Sequence, residues 1–206
     1  MLYKLAHLLR DRFPFLWNGI EYVNSLAFYL IYRSKLKKVS FKGLSEEYVI
    51  REASIKDVSA LVEFFGQQPK EAFTFFHPHG FNEKAIAHVV KNRSFLTFCV
   101  WHGEELVGYF FLRCFFNGKG YRGRMVDFRW NNKGIGKLMS LAINHIALTL
   151  GIRTFSSISP ENYASLASVK ATCDMKVIKT LDNGYFLIEI LPQKVRPSKK
   201  IVTRKS

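Results

Sequence analysis

The chain has 206 residues, 48% of them hydrophobic and 15% aromatic, so it can bury a core and is not a disordered segment. Its formal net charge of +15 predicts attraction to anions, among them phosphate-bearing ligands, an acidic membrane surface and nucleic acid. No recognised nucleic-acid-binding motif accompanies the charge, so specific binding of nucleic acid is not expected. The three cysteines, Cys99, Cys114 and Cys173, lie in or beside apolar runs without a CxxC pair, which is typical of reduced core residues in a cytoplasmic protein.

Residues 1–44 are predicted to form a helical extension whose two helices are separated near Pro14. In the second helix, apolar residues recur at the spacing of one helical face; they are Leu16, Ile20, Val23, Ala27, Leu30 and Ile31. One interpretation is a hairpin packed on the domain or on a second subunit. The other is an interfacial anchor, in which residues 1–38 contact the inner membrane surface peripherally, because the basic run Arg33, Lys35, Lys37 and Lys38 follows the apolar face. Both interpretations stay open at this point, as does a homodimer.

Residues 45–192 carry alternating helix and strand signals, and residues 193–206 predict a basic, flexible tail. The predicted strands and helices follow in chain order: strand 48–54, a helix starting at the Ser54–Asp57 capping box, an aromatic loop 72–81, a helix capped by Asn82, strands 94–101, 104–116 and 122–130, helix 131–151, strand 152–159, a helix opened by Pro160, and a hairpin around residues 182–184. This order predicts an α/β (α+β) fold, with one mixed sheet of about seven strands and helices on both faces.

The segment from Val126 to Lys137 joins a strand to a helix through two glycines, Gly134 and Gly136. Backbone N–H groups at the start of a helix, together with the helix dipole, form an anion site. Glycine lets a bulky phosphate approach the backbone closely, and Lys133 and Lys137 add positive charge. The pattern lacks the GxxxxGK[ST] of a P-loop and the third glycine of a dinucleotide-binding turn. A pyrophosphate is therefore the expected ligand.

This segment resembles motif A of the GNAT acetyltransferases, whose usual form is V-x-P-x-x-[Q/R]-G-x-G-x-[G/A]. Val126, Gly134 and Gly136 match it, whereas Phe128, Asn131 and Asn132 replace the frequent Pro, Gln/Arg and Gly. Downstream, Asn162 and Ser165 match the family's N-x-x-[S/A] helix. The likeness covers residues 47–191.

The resemblance implies that acetyl-CoA is the co-substrate, that no metal takes part, and that a primary amine attacks the thioester. It places the cofactor between the fourth and fifth strands. The backbone of Val126 and Phe128 would hold the pantetheine arm, and Asn162 and Ser165 would contact the cofactor from their helix. The pyrophosphate would lie against Asn131, Asn132, Lys133, Gly134, Ile135, Gly136 and Lys137.

Two residues are candidates for the proton transfers. Asp127 lies on the fourth strand and is the candidate base, but its carboxylate would equally pair with Arg124 or Arg129. The family's tyrosine acid corresponds to a position near Val169, so Tyr163 on the same helix is the remaining tyrosine candidate. Deprotonation of the amine through water, without a dedicated base, is a further alternative.

The loop FTFFHPHGF places Phe76, His77 and His79 along the expected acceptor cleft, although a packed, hydrogen-bonded loop explains it equally. Two histidines without further ligands do not predict a metal site. The loop and the following VGYFFLR resemble GNAT members of cell-surface polysaccharide pathways, which implies a small amine acceptor such as a nucleotide-linked amino-sugar. Arg113 would then meet a phosphate. A protein or peptide acetyltransferase and a non-catalytic module that binds membrane or a partner are the alternatives.

Overall fold

The computed structural model describes residues 14–192, so the first predicted helix and the basic tail lie outside the described residues. Within them, the helices and strands have the following bounds: α1 Pro14–Leu36, β1 Val49–Glu52, α2 Val58–Gln67, α3 Glu83–Lys91, β2 Phe95–His102, β3 Glu105–Phe115, β4 Lys119–Val126, α4 Ile135–Leu150, β5 Arg153–Ile158, α5 Tyr163–Lys170, β6 Cys173–Thr180 and β7 Phe186–Pro192. Short 3-10 turns lie at Ile55–Asp57, Lys70–Phe73 and Phe128–Trp130. No helix among residues 14–192 is long and apolar enough to cross a bilayer.

The seven strands form one sheet in the order β1-β2-β3-β4-β5-β7-β6. All neighbours are antiparallel except β4 and β5, which run parallel. Their parallel pairing is confined to residues 119–121 and 153–155. Beyond Tyr121 and Phe155 both strands continue without a shared ladder, so a gap opens between them in the middle of the sheet. The predicted mixed sheet is confirmed.

Two hydrophobic clusters cover the two faces of the sheet, as the fold prediction requires. One contains the inner faces of α1 and α4, with Phe28, Phe110 and Met139 at its centre. The other lies under α2 and α3 and contains Phe65 and Tyr109. Residues 109 and 110 are neighbours on β3 but belong to opposite clusters, because successive side chains of a strand point to opposite faces. The predicted burial of all three cysteines is also confirmed.

Helix α1 packs against the domain through a face that the sequence spacing did not identify. Phe28 and Tyr32 are buried and stacked on each other. The Asn24 amide donates to Ser94 Oγ and to the Cys114 carbonyl, and the Lys35 ammonium donates to the Leu150 carbonyl. By contrast, Leu16, Ile20, Val23, Leu30 and Ile31 are each more than half exposed. Periodicity locates an apolar face on a helix, but it does not tell which of two apolar faces meets the core.

The predicted Ser54–Asp57 capping box is present and carries an ion pair. The buried Asp57 carboxylate accepts hydrogen bonds from the Ser54 N–H and Oγ and from both terminal nitrogens of Arg51 on β1, at 2.6–2.8 Å. Hydrogen bonds from the Arg51 guanidinium hold the pKa of Asp57 well below its ordinary value, because their effect outweighs that of burial, which raises the pKa. This cluster joins the edge strand β1 to the start of α2.

Replacing Asp57 by Asn is expected to lower the free energy of unfolding by about 2 kcal/mol at pH 7, because charge-assisted hydrogen bonds to a buried carboxylate are lost. A carboxyl group whose pKa is lowered by folding contributes its full stabilisation above its unfolded pKa of about 3.9, and that contribution shrinks as the pH falls from this value toward the lower folded pKa. Urea unfolding should therefore show a smaller difference between the two proteins at pH 3 than at pH 7. Asp182→Asn, in the exposed β6–β7 turn, serves as the control and should change neither value.

Candidate active site

A cleft of about 610 Å³ passes through the gap between β4 and β5. One wall consists of loop residues between 68 and 78, and the opposite wall consists of β5 residues 156–158, Ser159 after the strand, and residues of α5 with its cap Asn162. Its floor is β4, residues 121–126. After Tyr121, β4 pairs only with β3, so its backbone groups that point toward β5 have no ladder partner; one of them, the Arg122 carbonyl, accepts from Ser156 Oγ at 3.4 Å.

The helix α4 begins beside this cleft, since Gly136 lies next to the cleft residues Val126 and Arg124 while residues 132–137 do not line the cleft themselves. Gly134 is its N-cap residue, with a left-handed φ of 82°. The first bond of the helix runs from the Leu138 N–H to the Gly134 carbonyl, so the N–H groups of Ile135, Gly136 and Lys137 precede the helical ladder. The first turn contains no acidic residue. These features form an anion site.

Asn131 and Asn132, which replace the usual residues of the motif, have different positions and conformations in this turn. Asn132 has a φ of 64°, and asparagine is one of the few non-glycine residues that adopt this left-handed conformation readily. It therefore supplies the backbone shape for which the motif uses glycine. Asn131 lies at the rim and lines the cleft.

Gly136 is not required by packing within the protein. A Cβ at Gly136 would lie 3.8 Å from Val126 Cγ2 and from Ser168 Oγ, which is ordinary contact. The close approach of a ligand to the backbone at this position would explain why the residue is glycine. Lys133 is held nearby, with its ammonium 4.1 Å from the centre of the Trp130 ring.

Two arginines of β4 lie on the face of the strand that meets α4. Arg122 is 5% exposed and donates from Nη1 to Asn144 Oδ1 at 2.8 Å, while its Nη2 has no hydrogen-bond partner among the described residues. Arg124 Nε lies 4.0 Å from the position of a Cβ at Gly136. Within residues 14–192, neither arginine forms an ion pair with a carboxylate. Burial, and then the neighbouring Arg122, lower the pKa of Arg124 to about 9.

Arg122 is buried and Arg124 is half-buried. A cation removed from water without a counter-charge is costly, and an anion in the cleft would relieve that cost. Sequence reasoning considered Arg124 only as a partner of Asp127 and passed over Arg122. The signal that identifies them is the alternation of β4, which places residues 122, 124 and 126 on one face.

Asp127 is fully buried and is held by Arg129. Its Oδ1 accepts from Arg129 Nε and from the Arg129 backbone N–H, and its Oδ2 accepts from Nη2 at 2.8 Å. Burial alone would raise the pKa of Asp127, but the hydrogen bonds from Arg129 outweigh it and keep that pKa below its ordinary value. Asp127 is not among the residues that line the cleft. This geometry favours the alternative in which the carboxylate caps and orients the turn Phe128–Trp130, where the strand was predicted to continue.

Of the site residues predicted on or beside helix α5, two lie at the cleft and one does not. Asn162 and Ser165 line it, and the Asn162 side chain caps the helix by accepting from the Ser165 N–H at 3.0 Å. Val169 also lines the cleft, at the position where the resemblance implied a tyrosine. Tyr163 is 77% exposed and does not line it. The structure therefore brings Val126, Phe128, Asn131, Asn162 and Ser165 together but leaves Tyr163 outside.

The loop before α3 divides between cleft and core. Phe76 and His77 line the cleft. His79 instead lies in the core, where one ring nitrogen is 2.7 Å from the Tyr109 hydroxyl and the other is 2.7 Å from the Gly80 carbonyl. Burial lowers the pKa of His79, so the neutral ring donates from Nδ1 and accepts at Nε2. The prediction that His79 contacts the acceptor is not supported by this position.

Arg113 also lies away from the cleft, because its guanidinium pairs with Glu21 of α1 and stacks on Phe115. Arg113 thus connects β3 to the N-terminal helix α1. The predicted contact between Arg113 and a phosphate is not supported by this position. A residue that sequence reasoning missed is Glu71, in the 3-10 turn Lys70–Phe73, which brings a carboxylate to the cleft beside Phe76 and His77. No cluster of metal-ligating side chains is present within residues 14–192.

No family model and no curated protein matches the sequence. Solved structures do match it. An acetyltransferase of the GNAT family from Streptococcus pneumoniae is 16% identical, and the match covers 70% of this chain and 99% of that one at a TM-score of 0.53. The PaiA N-acetyltransferase from Thermoplasma acidophilum, in complex with coenzyme A, is 18% identical over 71% of this chain and 99% of its own at a TM-score of 0.56. The aminoglycoside acetyltransferase AAC(6')-Ib, in complex with coenzyme A and kanamycin, is 12% identical over 71% and 95% at a TM-score of 0.56.

At identities of 12–18%, these matches concern the fold. The chain has the fold of the GNAT acetyltransferases.

Proposed function

We propose that the protein is an N-acetyltransferase that moves an acetyl group from acetyl-CoA to a primary amine. The observation that carries the proposal is the start of α4, where N–H groups without helical partners lie beside Arg124 and Val126 of a cleft that passes through the sheet. Two of the structural neighbours were solved with coenzyme A, which supports the same ligand for this cleft.

The residues present fit such a cofactor. The N–H groups of residues 135–137 and Lys137 would hold the pyrophosphate, and Arg124 beside Gly136 would add a charge-assisted contact. The unpaired edge of β4 up to Val126 would bind the amide groups of the pantetheine arm. Bound acetyl-CoA supplies an activated thioester. As the amine nitrogen bonds to the acetyl carbon, the C–S bond breaks and coenzyme A leaves as a thiolate that takes up a proton. The chain must align the amine, accept its proton and keep bulk water away from the thioester.

Glu71 is the side chain that fits the role of base. A primary amine carries a proton at neutral pH, and it reacts only after that proton has left. The Glu71 carboxylate would attract the ammonium group and accept its proton, directly or through one water. Asp127 fits this role poorly, because Arg129 already occupies both of its oxygens.

For the acceptor we favour a small molecule, with a nucleotide-linked amino-sugar as the best candidate. Phe76, Phe111 and Tyr121 line the acceptor side of the cleft, and aromatic faces of this kind suit the apolar face of a sugar ring. Space beside them is tight: a Cβ at Gly123 would come within 2.6 Å of two atoms of the Phe111 ring. A net charge of +15 favours an anionic acceptor over a basic protein tail.

Calorimetry with acetyl-CoA, followed by thiol release with a panel of amines, tests the proposal. We expect binding, and turnover with nucleotide-linked amino-sugars above that with peptides. Turnover with peptides alone would replace the small acceptor by a protein one. Binding without turnover of any amine would favour a non-catalytic module, and absence of binding would contradict the acetyltransferase proposal itself.

A further inference from the structure

The outward face of α1 is apolar over most of its length. Its large exposed side chains include Phe15, Leu16, Ile20, Val23, Leu30 and Ile31, and their exposed fractions range from 52% to 86%. With about 100° between successive helical residues, these positions share one half of the helix surface. Singly scattered apolar residues on a surface need no explanation, but a contiguous apolar face does.

The opposite half of α1 is fixed to the domain, so the orientation of the outward face is determined. Phe28 is fully buried, Asn24 bonds to β3 and to the loop before β2, and Glu21 pairs with Arg113. A helix with one face packed against protein can present only its other face to a further partner. The outward face of α1 therefore suits a flat surface better than an enclosing groove.

The same outward half of the helix becomes basic at its C-terminal end. By the 100° step, Arg33 lies at the helical angle of Phe15, at one edge of the outward face, and the exposed Lys37 and Lys38 follow where the chain leaves the helix. The only acidic residue between Pro14 and Lys38 is Glu21, which lies on the packed face. The outward face thus carries apolar side chains and positive charge, without negative charge.

We propose that the outward face of α1 docks the protein on an anionic lipid surface. The apolar side chains would enter the boundary between headgroups and acyl chains, and Arg33, Lys37 and Lys38 would meet the anionic headgroups. A second copy of the chain fits this face less well, since each copy carries a net charge of +15 and both faces would present the same basic end. The proposal is independent of the acetyltransferase chemistry.

Co-sedimentation of the full chain with vesicles tests this docking. We expect binding to vesicles of phosphatidylcholine with phosphatidylserine, at least ~10-fold weaker binding to phosphatidylcholine alone, and weaker binding at high salt. Deleting the helix would remove Phe28 and Tyr32 from the core, so point variants are the sharper probe. Ile20→Glu with Val23→Glu should lower binding to the anionic vesicles at least ~30-fold, because two charges would enter the apolar boundary.

The matched control is Val177→Glu with Ile178→Glu on β6, since these residues are of the same types and are 51% and 42% exposed. It should bind vesicles like the unmodified chain, and the melting temperatures of both double variants show whether each remains folded. Light scattering of the free protein shows whether a second copy of the chain, rather than a membrane, covers the outward face of α1. A dimer that dissociates in the Ile20/Val23 variant, without vesicle binding by the unmodified chain, would assign the face to a second copy. A monomer that does not bind vesicles would overturn the proposal as well.

Discussion

Gly134→Glu is expected to lower the affinity for acetyl-CoA at least ~100-fold, which corresponds to about 2.7 kcal/mol. The new carboxylate would stand at the N-cap of α4, where the proposed pyrophosphate binds. Two unit charges 4 Å apart near a protein surface repel each other by about 4 kcal/mol. No heavy atom lies within 4 Å of the position of a Cβ at Gly134, so the side chain itself meets no clash. Calorimetric titration with acetyl-CoA measures the loss.

The backbone strain of this substitution needs its own control, because Gly134 has a φ of 82°. Gly184 in the β6–β7 turn has a φ of 80° and is equally free of neighbours, so Gly184→Glu imposes the same strain far from α4. A left-handed non-glycine residue costs about 1–2 kcal/mol, and both variants should therefore lose similar stability. Only Gly134→Glu should lose affinity. Equal affinity in the two variants would place the pyrophosphate elsewhere.

The order of helices and strands along the chain and the glycine turn before α4 could be predicted from the sequence because both depend on local signals. Glycines at fixed spacing, Asn162 as a cap and a change of period from helix to strand act within a few neighbouring residues. Asn132 looked like a departure from the motif, yet its left-handed φ of 64° preserves the turn. Backbone-determined features of this kind tolerate side-chain substitutions that leave the conformation accessible.

The side-chain roles depended on contacts distant in sequence, and there the predictions diverged from the structure. Arg113 was assigned to a substrate phosphate, but it pairs with Glu21, which lies 92 residues away in the chain. His79 was assigned to the cleft, but its neighbours Tyr109 and Phe95 belong to strands that the loop only meets after folding. Strand alternation places the arginines at positions 122 and 124 on one face, but the sequence does not show that Arg122 is buried, that Arg124 is half-buried, or that neither pairs with a carboxylate within residues 14–192.

Sequence and structure give different candidates for the carboxylate that accepts the proton of the amine. Asp127 was the sequence candidate, but Arg129 binds both of its oxygens and lowers its pKa, which makes it a weak base. Glu71 lines the cleft on the acceptor side. We expect Glu71→Gln to lower kcat about 100-fold with little change in acetyl-CoA affinity, because general base catalysis contributes at least this factor.

Chemical rescue distinguishes proton transfer from a structural effect. Glu71→Ala should show the same loss of kcat, and added formate should restore part of it by supplying a carboxylate in the vacated space. Glu161→Gln is the control, since Glu161 is exposed and next to Asn162 but does not line the cleft, and it should leave kcat unchanged. Tyr163→Phe should also leave kcat unchanged, given the 77% exposure of Tyr163. If Glu71→Ala retained full activity while a folded Asp127→Asn variant lost it, the base would be Asp127, and Arg129 would have to release the carboxylate when the substrates bind.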